Sequence, residues 1–272
     1  MSLLRNQKVL APALTVAAGT EAKGYSHGTT GETVYGDLPL RFRNLTLTEA
    51  DVPSADDAAN APGFKIRISK LKRGRLQAGS LVSDRYSGRG YGIPAIKKEP
   101  DLYTFIAYDE GHLVGTVGVR LDSRRGLAAD QLYAEELAAL REQRYRICEF
   151  TRLAVDKRAA SKPVLAGLFH TAYLYASVMR GMTHAVIEVN PRHVLFYRRA
   201  LSFEVLGTER LSPRVNAPAV LLCVPFATIA EGLARFAGRP DEPGSGRSLF
   251  PYGFGPDEEI GVLRRLRGVL GG

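Results

Sequence analysis

Gly115-Thr-Val-Gly-Val-Arg120-Leu121 and Glu149-Phe-Thr-Arg152-Leu-Ala-Val155 are two extended stretches separated by a segment of strong helix formers. In the second, a carboxylate and a guanidinium sit in the middle of an otherwise apolar strand, which decides how the rest is read. Working outward, Leu113 to Leu121 pairs with Tyr103 to Tyr108 as a hairpin across Asp109-Glu110-Gly111-His112. Between the two quoted stretches, Leu127 to Gln143 places Leu132, Glu136 and Leu140 at helical spacing. Downstream, Ser161-Lys162-Pro163 opens an almost wholly apolar helix that Gly181 stops. Thr183 to Val189 reads as a strand, Asn190-Pro191 as a turn and Val194 to Leu201 as a short helix. Phe203 to Arg210 and Ala217 to Pro225 form a last strand pair. Upstream, Phe64, Ile66 and Ile68 alternate with Lys65, Arg67 and Ser69, the period of a half-buried strand. Lys70 to Arg85 follows as a helix ending before Gly88, Gly90 and Gly92. Strands outnumber helices, and hairpins mix with crossovers, so the class is α/β (α+β) with a mixed sheet.

The flanks have a different texture. Residues 1–62 lack sustained periodicity and read as an N-terminal extension, partly disordered, closed by a polar connector from Asp51 to Pro62. Residues 229–272 read as a C-terminal helical extension, with amphipathic pieces around Ile229 to Phe236 and Ile260 to Leu270. Residues 63–228 are the core domain.

The 272 residues are 45% hydrophobic and 24% charged, the balance of a globular chain with a sizeable core. No apolar run approaches the roughly 20 residues of a membrane span. The N-terminus only faintly imitates a signal peptide, because Pro12 interrupts its apolar part, so a cytoplasmic location is expected. Cys148 and Cys223 lie in apolar runs without disulfide or zinc spacing. The five histidines likewise form no metal-ligand pattern. The formal net charge is +9, concentrated in residues 63–228, where 26 basic side chains face 15 acidic ones. Such a field gathers polyanions. With no helix-turn-helix or RNP-like signature, nucleic acid is set aside. An acidic carrier protein or peripheral contact with an anionic membrane remain.

The two quoted stretches, followed by Val189-Asn190-Pro191-Arg192-His193-Val-Leu-Phe196-Tyr197, resemble the long-chain N-acyl amino acid synthases. These belong to the GNAT acyltransferase superfamily and are related to the acyl-homoserine lactone synthases. The likeness runs over residues 63–226 and includes Asp84-Arg-Tyr86, Gly90-Tyr91 and Val215-Asn216-Ala217-Pro218-Ala219. It implies a twisted, mostly antiparallel GNAT sheet flanked by helices. The implied reaction moves a long-chain fatty acyl group from acyl carrier protein to the α-amine of an amino acid, without metal or tightly bound cofactor. The donor would be the acyl-phosphopantetheine of the carrier, with acyl-CoA as the other source. CoA-dependent GNAT enzymes cradle the pyrophosphate in a glycine-rich loop at a helix N-terminus. Here that stretch is Lys157-Arg158-Ala-Ala-Ser-Lys162-Pro163, with no glycine before Gly167. Lys157, Arg158 and Lys162 are therefore expected to meet the donor's anionic arm or the carrier's acidic surface.

Aminolysis of a thioester needs a neutral amine, donors for the oxyanion and a proton for the departing thiolate. Glu149, in its apolar strand, is the candidate base, and burial would raise its pKa toward that task. Its alternative is a structural pair with a nearby arginine. In a regular strand Arg152, three residues on, faces the other way, unless a β-bulge intervenes and turns a backbone N–H outward. Arg120 and Arg152 are candidates to grip the amino acid carboxylate, or else to form ion pairs or dock the carrier. By resemblance Tyr197 would stand beside the leaving sulfur, its alternative being packing alone. Asn190 is read either as a pantetheine contact or as an ordinary turn residue. His193 either joins the substrate site or caps the next helix. The apolar helix with Leu168, Tyr173, Leu174 and Tyr175 is core or acyl tunnel, and Ser202-Phe203 stands where the family has Gly-Phe, which puts a left-handed helix cap in question. Three rival functions stay open: an acyl-homoserine lactone synthase, an acetyl-CoA-dependent N-acetyltransferase, and a non-enzymatic module binding acyl carrier or membrane.

Overall fold

The computed structural model describes residues 32–35, 64–69, 100–109, 112–155, 161–214, 216–241 and 247–270. Eight strands make one sheet: β1 (Glu32–Tyr35), β2 (Phe64–Ser69), β3 (Leu102–Asp109), β4 (His112–Leu121), β5 (Ile147–Val155), β6 (His184–Val189), β7 (Glu204–Ser212) and β8 (Ala217–Pro225). Their order is β1-β2-β3-β4-β5-β6-β8-β7. Every pairing is antiparallel except β5 with β6. That single parallel pair demands a crossover. It is supplied by α2 (Lys162–Tyr173), which continues as a π-helical turn, Leu174–Met179. The other helices are α1 (Asp130–Glu142) between β4 and β5, α3 (Val194–Leu201), α4 (Phe226–Phe236) and α5 (Pro256–Leu270). The mixed, mostly antiparallel sheet expected from the sequence is the one observed. The helix expected over Lys70 to Arg85, together with the glycine cluster after it, lies outside the described residues.

Apolar patterning explains both faces. The larger core lies between the sheet and α2, α4 and α5, with Phe105, Phe150, Leu168, Phe203 and Leu266 within it. The Ser161 hydroxyl caps α2 by accepting from the Val164 N–H at 3.4 Å, and Gly181 beyond its end takes a φ of +63°. The second core sits under α1, where Tyr133 and Leu137 meet Ile147, Val186 and Leu221. Tyr133 is pinned there by donating to Ala219 O at 2.7 Å and Thr208 O at 3.1 Å. Gly207 is the price of that ring: a Cβ would stand 2.6 Å from Tyr133 Cδ1.

Residues expected as terminal extensions contribute to this packing. Glu32–Tyr35 joins the sheet edge as β1 on β2. α5 closes over it, with Tyr35 Oη donating to Glu258 Oε1 at 3.0 Å and Arg265 Nε donating to Val34 O at 3.0 Å. A four-residue strand is too short to announce itself by periodicity, and its partner lies some 30 residues away in sequence.

Candidate active site

Glu149 pairs on both sides, with Arg120 of β4 and Val186 of β6. The β5–β6 ladder then stops. β5 continues to Val155 along β4, and β6 continues to Val189 along β8, so among the described residues the two strands part at Glu149. Among the described residues no strand pairs with the β6-side edge of β5 beyond Glu149, where a ligand's own amides could bond. Three residues further, the β4–β5 register slips: Gly118 faces Thr151 while Thr116 faces Ala154, so Arg152 and Leu153 together oppose the single residue Val117. This is a β-bulge, with Arg152 at φ +52°. A non-glycine residue in that region costs on the order of 1–3 kcal/mol and is sustained only by its surroundings. The bulge raised above as a condition is therefore present, and it returns Ala154 rather than Leu153 to the face of Glu149.

Glu149 is 2% exposed. Its Oε2 accepts from the Ala128 N–H at 2.7 Å and lies 3.6 Å from Arg120 Nε. Burial, the largest influence, lifts its carboxyl above the usual range. Arg120, Arg214 and the Ala128 N–H pull the other way, and Glu188 pushes with burial. Both expectations for Glu149, a desolvated acid and an arginine partner, are thus realised in one group, the arginine being Arg120 across the strands. Ala128 is itself held in place. Asp130 accepts from the Leu127 N–H at 2.6 Å, and Arg141 clamps Asp130 and Asp122 with four hydrogen bonds of 2.7–2.9 Å. Burial works against the ionised Asp130, but Arg141 and the Leu127 N–H outweigh it and its pKa falls.

The remaining candidates fall elsewhere. Tyr197 is buried on the α2 side of the sheet, its ring edge-on to Phe169, Phe196 and Phe203 at 5.1–6.3 Å between centroids. Phe169 and Phe203 also line a small apolar cavity of about 20 Å³, with Phe150, Ala166, Leu233 and Phe250. Asn190 accepts from the Arg192 N–H at 3.2 Å and donates to Pro218 O at 3.3 Å, the duties of a turn residue. His193 does not cap α3 through its side chain; its Nε2 accepts from Arg192 Nε at 3.2 Å. Lys162, in the first turn of α2, donates to the Tyr252 hydroxyl at 3.4 Å and stands 5.0 Å over that ring. Lys157 and Arg158 lie outside the described residues. The sequence reading missed the Ala128 N–H and an ion pair between Glu188 and Arg214. A carboxylate inside the apolar run His184-Ala-Val-Ile-Glu-Val was a signal for Glu188 but not for its partner.

A mixed sheet whose central strands part beside a buried acid, with a bulge on the strand that carries it, defines a GNAT-fold acyltransferase. The sequence model of the N-acyl amino acid synthase FeeM family matches residues 77–225, and the chain belongs to that family. It is accordingly an N-acyltransferase. The solved structure of FeeM, an N-acyl amino acid synthase from uncultured soil microbes, is similar at 27% identity and a TM-score of 0.56, over 64% of this chain and 96% of that one. Weaker likenesses include the AHL synthase LasI (14% identity, TM-score 0.43, 60% of this chain and 90% of that one). An acyl-CoA N-acyltransferase from Pseudomonas aeruginosa is comparable (12%, 0.43, 59% and 98%). No curated protein matches the chain. Among the described residues no helix is long and apolar enough to cross a membrane.

Proposed function

We propose that the protein transfers a long-chain fatty acyl group from the phosphopantetheine thioester of acyl carrier protein to the α-amine of an amino acid. The observation that carries this reading is the buried Glu149 carboxylate at the point where β5 and β6 part. The amine nitrogen attacks the thioester carbonyl carbon, the C–N bond forms and the C–S bond breaks. The amine proton goes to Glu149, whose raised pKa suits it to receive one. The Tyr197 hydroxyl gives its proton to the thiolate and regains one from solvent. A backbone N–H turned out by the bulge at Arg152 receives the oxyanion. Arg120, beside Glu149, faces the acceptor, and the acyl tail lies against the apolar α2 side of the sheet around Tyr197. Support for the carrier as donor comes from the absence of glycine between Lys157 and Gly167 and from the basic excess of residues 63–228.

The test supplies the purified protein with acyl carrier and acyl-CoA donors side by side, each with a panel of amino acids, and weighs the products by mass spectrometry. An N-acyl amino acid formed faster from the carrier is expected. A lactone from S-adenosylmethionine, or acetylation from acetyl-CoA in place of long-chain transfer, would overturn it.

A further inference from the structure

Glu149 is not alone at the parting of the strands. It registers with Val186 in the parallel pair, so Glu188, two residues along β6, lies on the same face of the sheet. The Glu188 side chain is 9% exposed and is ion-paired to Arg214 in the turn between β7 and β8, whose side chain is 35% exposed. Arg120 stands against Glu149 on the opposite flank. Both Arg214 and Glu188 act on the Glu149 carboxyl through space, after burial and Arg120 for the former, so the four groups form one electrostatic unit.

Two carboxylates thus share one face of neighbouring strands, each with its arginine, and the four formal charges cancel. Like charges so placed disfavour joint ionisation unless a cation settles near both. An α-amino acid carries such a cation one carbon away from a carboxylate. Arg214, partly open to solvent in a turn, can exchange Glu188 for a ligand carboxylate while Glu188 takes the ligand's ammonium. That exchange of partners leaves the net charge of the site unchanged and avoids burying an uncompensated ion.

We propose that Glu188 and Arg214 position the amino acid acceptor, Arg214 gripping its α-carboxylate and Glu188 holding its α-ammonium beside Glu149. This rests on the acceptor being an amino acid, as in the function given above. It makes Arg214 the group that distinguishes amino acids from plain amines.

The experiment compares an accepted amino acid with its α-carboxamide as acceptors for the wild-type protein, Arg214→Ala, Arg214→Lys and Glu188→Gln. Losing one charge-assisted contact corresponds to about a ten- to hundred-fold change. Arg214→Ala should raise KM for the amino acid by that factor more than it raises KM for the amide. Arg214→Lys should fall between, and it carries the test if the alanine variant does not fold. Glu188→Gln should raise KM for both acceptors. An unchanged preference for acid over amide in both Arg214 variants, or an equal rise of KM for the two acceptors, overturns the inference. A wild-type protein that acylates no amino acid overturns the function itself.

Discussion

Replacing Glu149 by glutamine separates chemistry from architecture. At 3.6 Å, and with an effective dielectric constant near 20, Arg120 and the Glu149 carboxylate attract each other by about 4–5 kcal/mol before desolvation. Desolvation of a buried ion costs several kcal/mol, and the raised pKa of Glu149 shows that burial prevails over its partners. Charge at this position is therefore held at a net cost. Glutamine keeps an oxygen for the Ala128 N–H and relieves that cost, while Arg120, at 18% exposure, retains some access to water. Unfolding free energy at neutral pH should stay within about 1–2 kcal/mol of the wild type. Losing a general base costs roughly 10²- to 10⁴-fold in turnover, or about 3–5 kcal/mol of barrier. The pH dependence of stability adds a second reading. The folded pKa lies above the unfolded value of about 4.3, so the stability contributed by protonated Glu149 is complete below that value and is lost as pH rises through the folded pKa. Glu149→Gln should lack this slope. Single-turnover acyl transfer and denaturant unfolding over a pH series measure both. Turnover within a few-fold of wild type would remove Glu149 from the chemistry, and an unchanged pH slope would refute the account of its burial.

Other outcomes follow from particular contacts. Ala166 is buried beside a cavity of only about 20 Å³, so Ala166→Phe overpacks the core and should cost about 1–3 kcal/mol in denaturant unfolding; unchanged stability would contradict that packing. Ser202 holds φ +60° at the end of α3, so Ser202→Gly should stabilise by about 0.5–1 kcal/mol in thermal or denaturant unfolding. Gly232 on α4 leaves no room for a methyl group, since a Cβ would lie 2.5 Å from Phe250 Cε2. Gly232→Ala should cost about 1–3 kcal/mol in the same assay by displacing that ring.

The sheet was legible where apolar patterning was sustained. Phe64, Ile66 and Ile68 are buried as their alternation required, and α2 begins at the residues that announced it. The start of α1 was read three residues early, at Leu127 instead of Asp130. Leu127 and Ala128 have helix-forming side chains, but their N–H groups are taken by Asp130 and Glu149, a use that no local propensity reports. Ser202 and Arg152 show the same limit in the backbone. Neither residue type favours positive φ, yet both adopt it: Ser202 because Phe203 must turn into the core, Arg152 because β5 carries one residue more than β4. Glu149 could be singled out from sequence because a lone carboxylate interrupts an apolar strand. The ion pair of Glu188 with Arg214 could not, because it depends on β8 lying beside β6, with the β7–β8 turn brought over that face.

The position of Glu149 on β5 ties its two roles together. Were the acid two residues earlier, at Ile147, β4 and β6 would enclose it on both sides and no ligand backbone would find an open strand edge beside it. Further along, at Thr151, only β4 would flank it, and a half-buried position would give less desolvation to lift its pKa. At the last rung paired with both β4 and β6 it is flanked on both sides, and the opening begins just beyond it. The bulge three residues on adds to the local twist of β5 and so favours the divergence from β6. Desolvation and access, which oppose each other at most positions in a sheet, meet at this one.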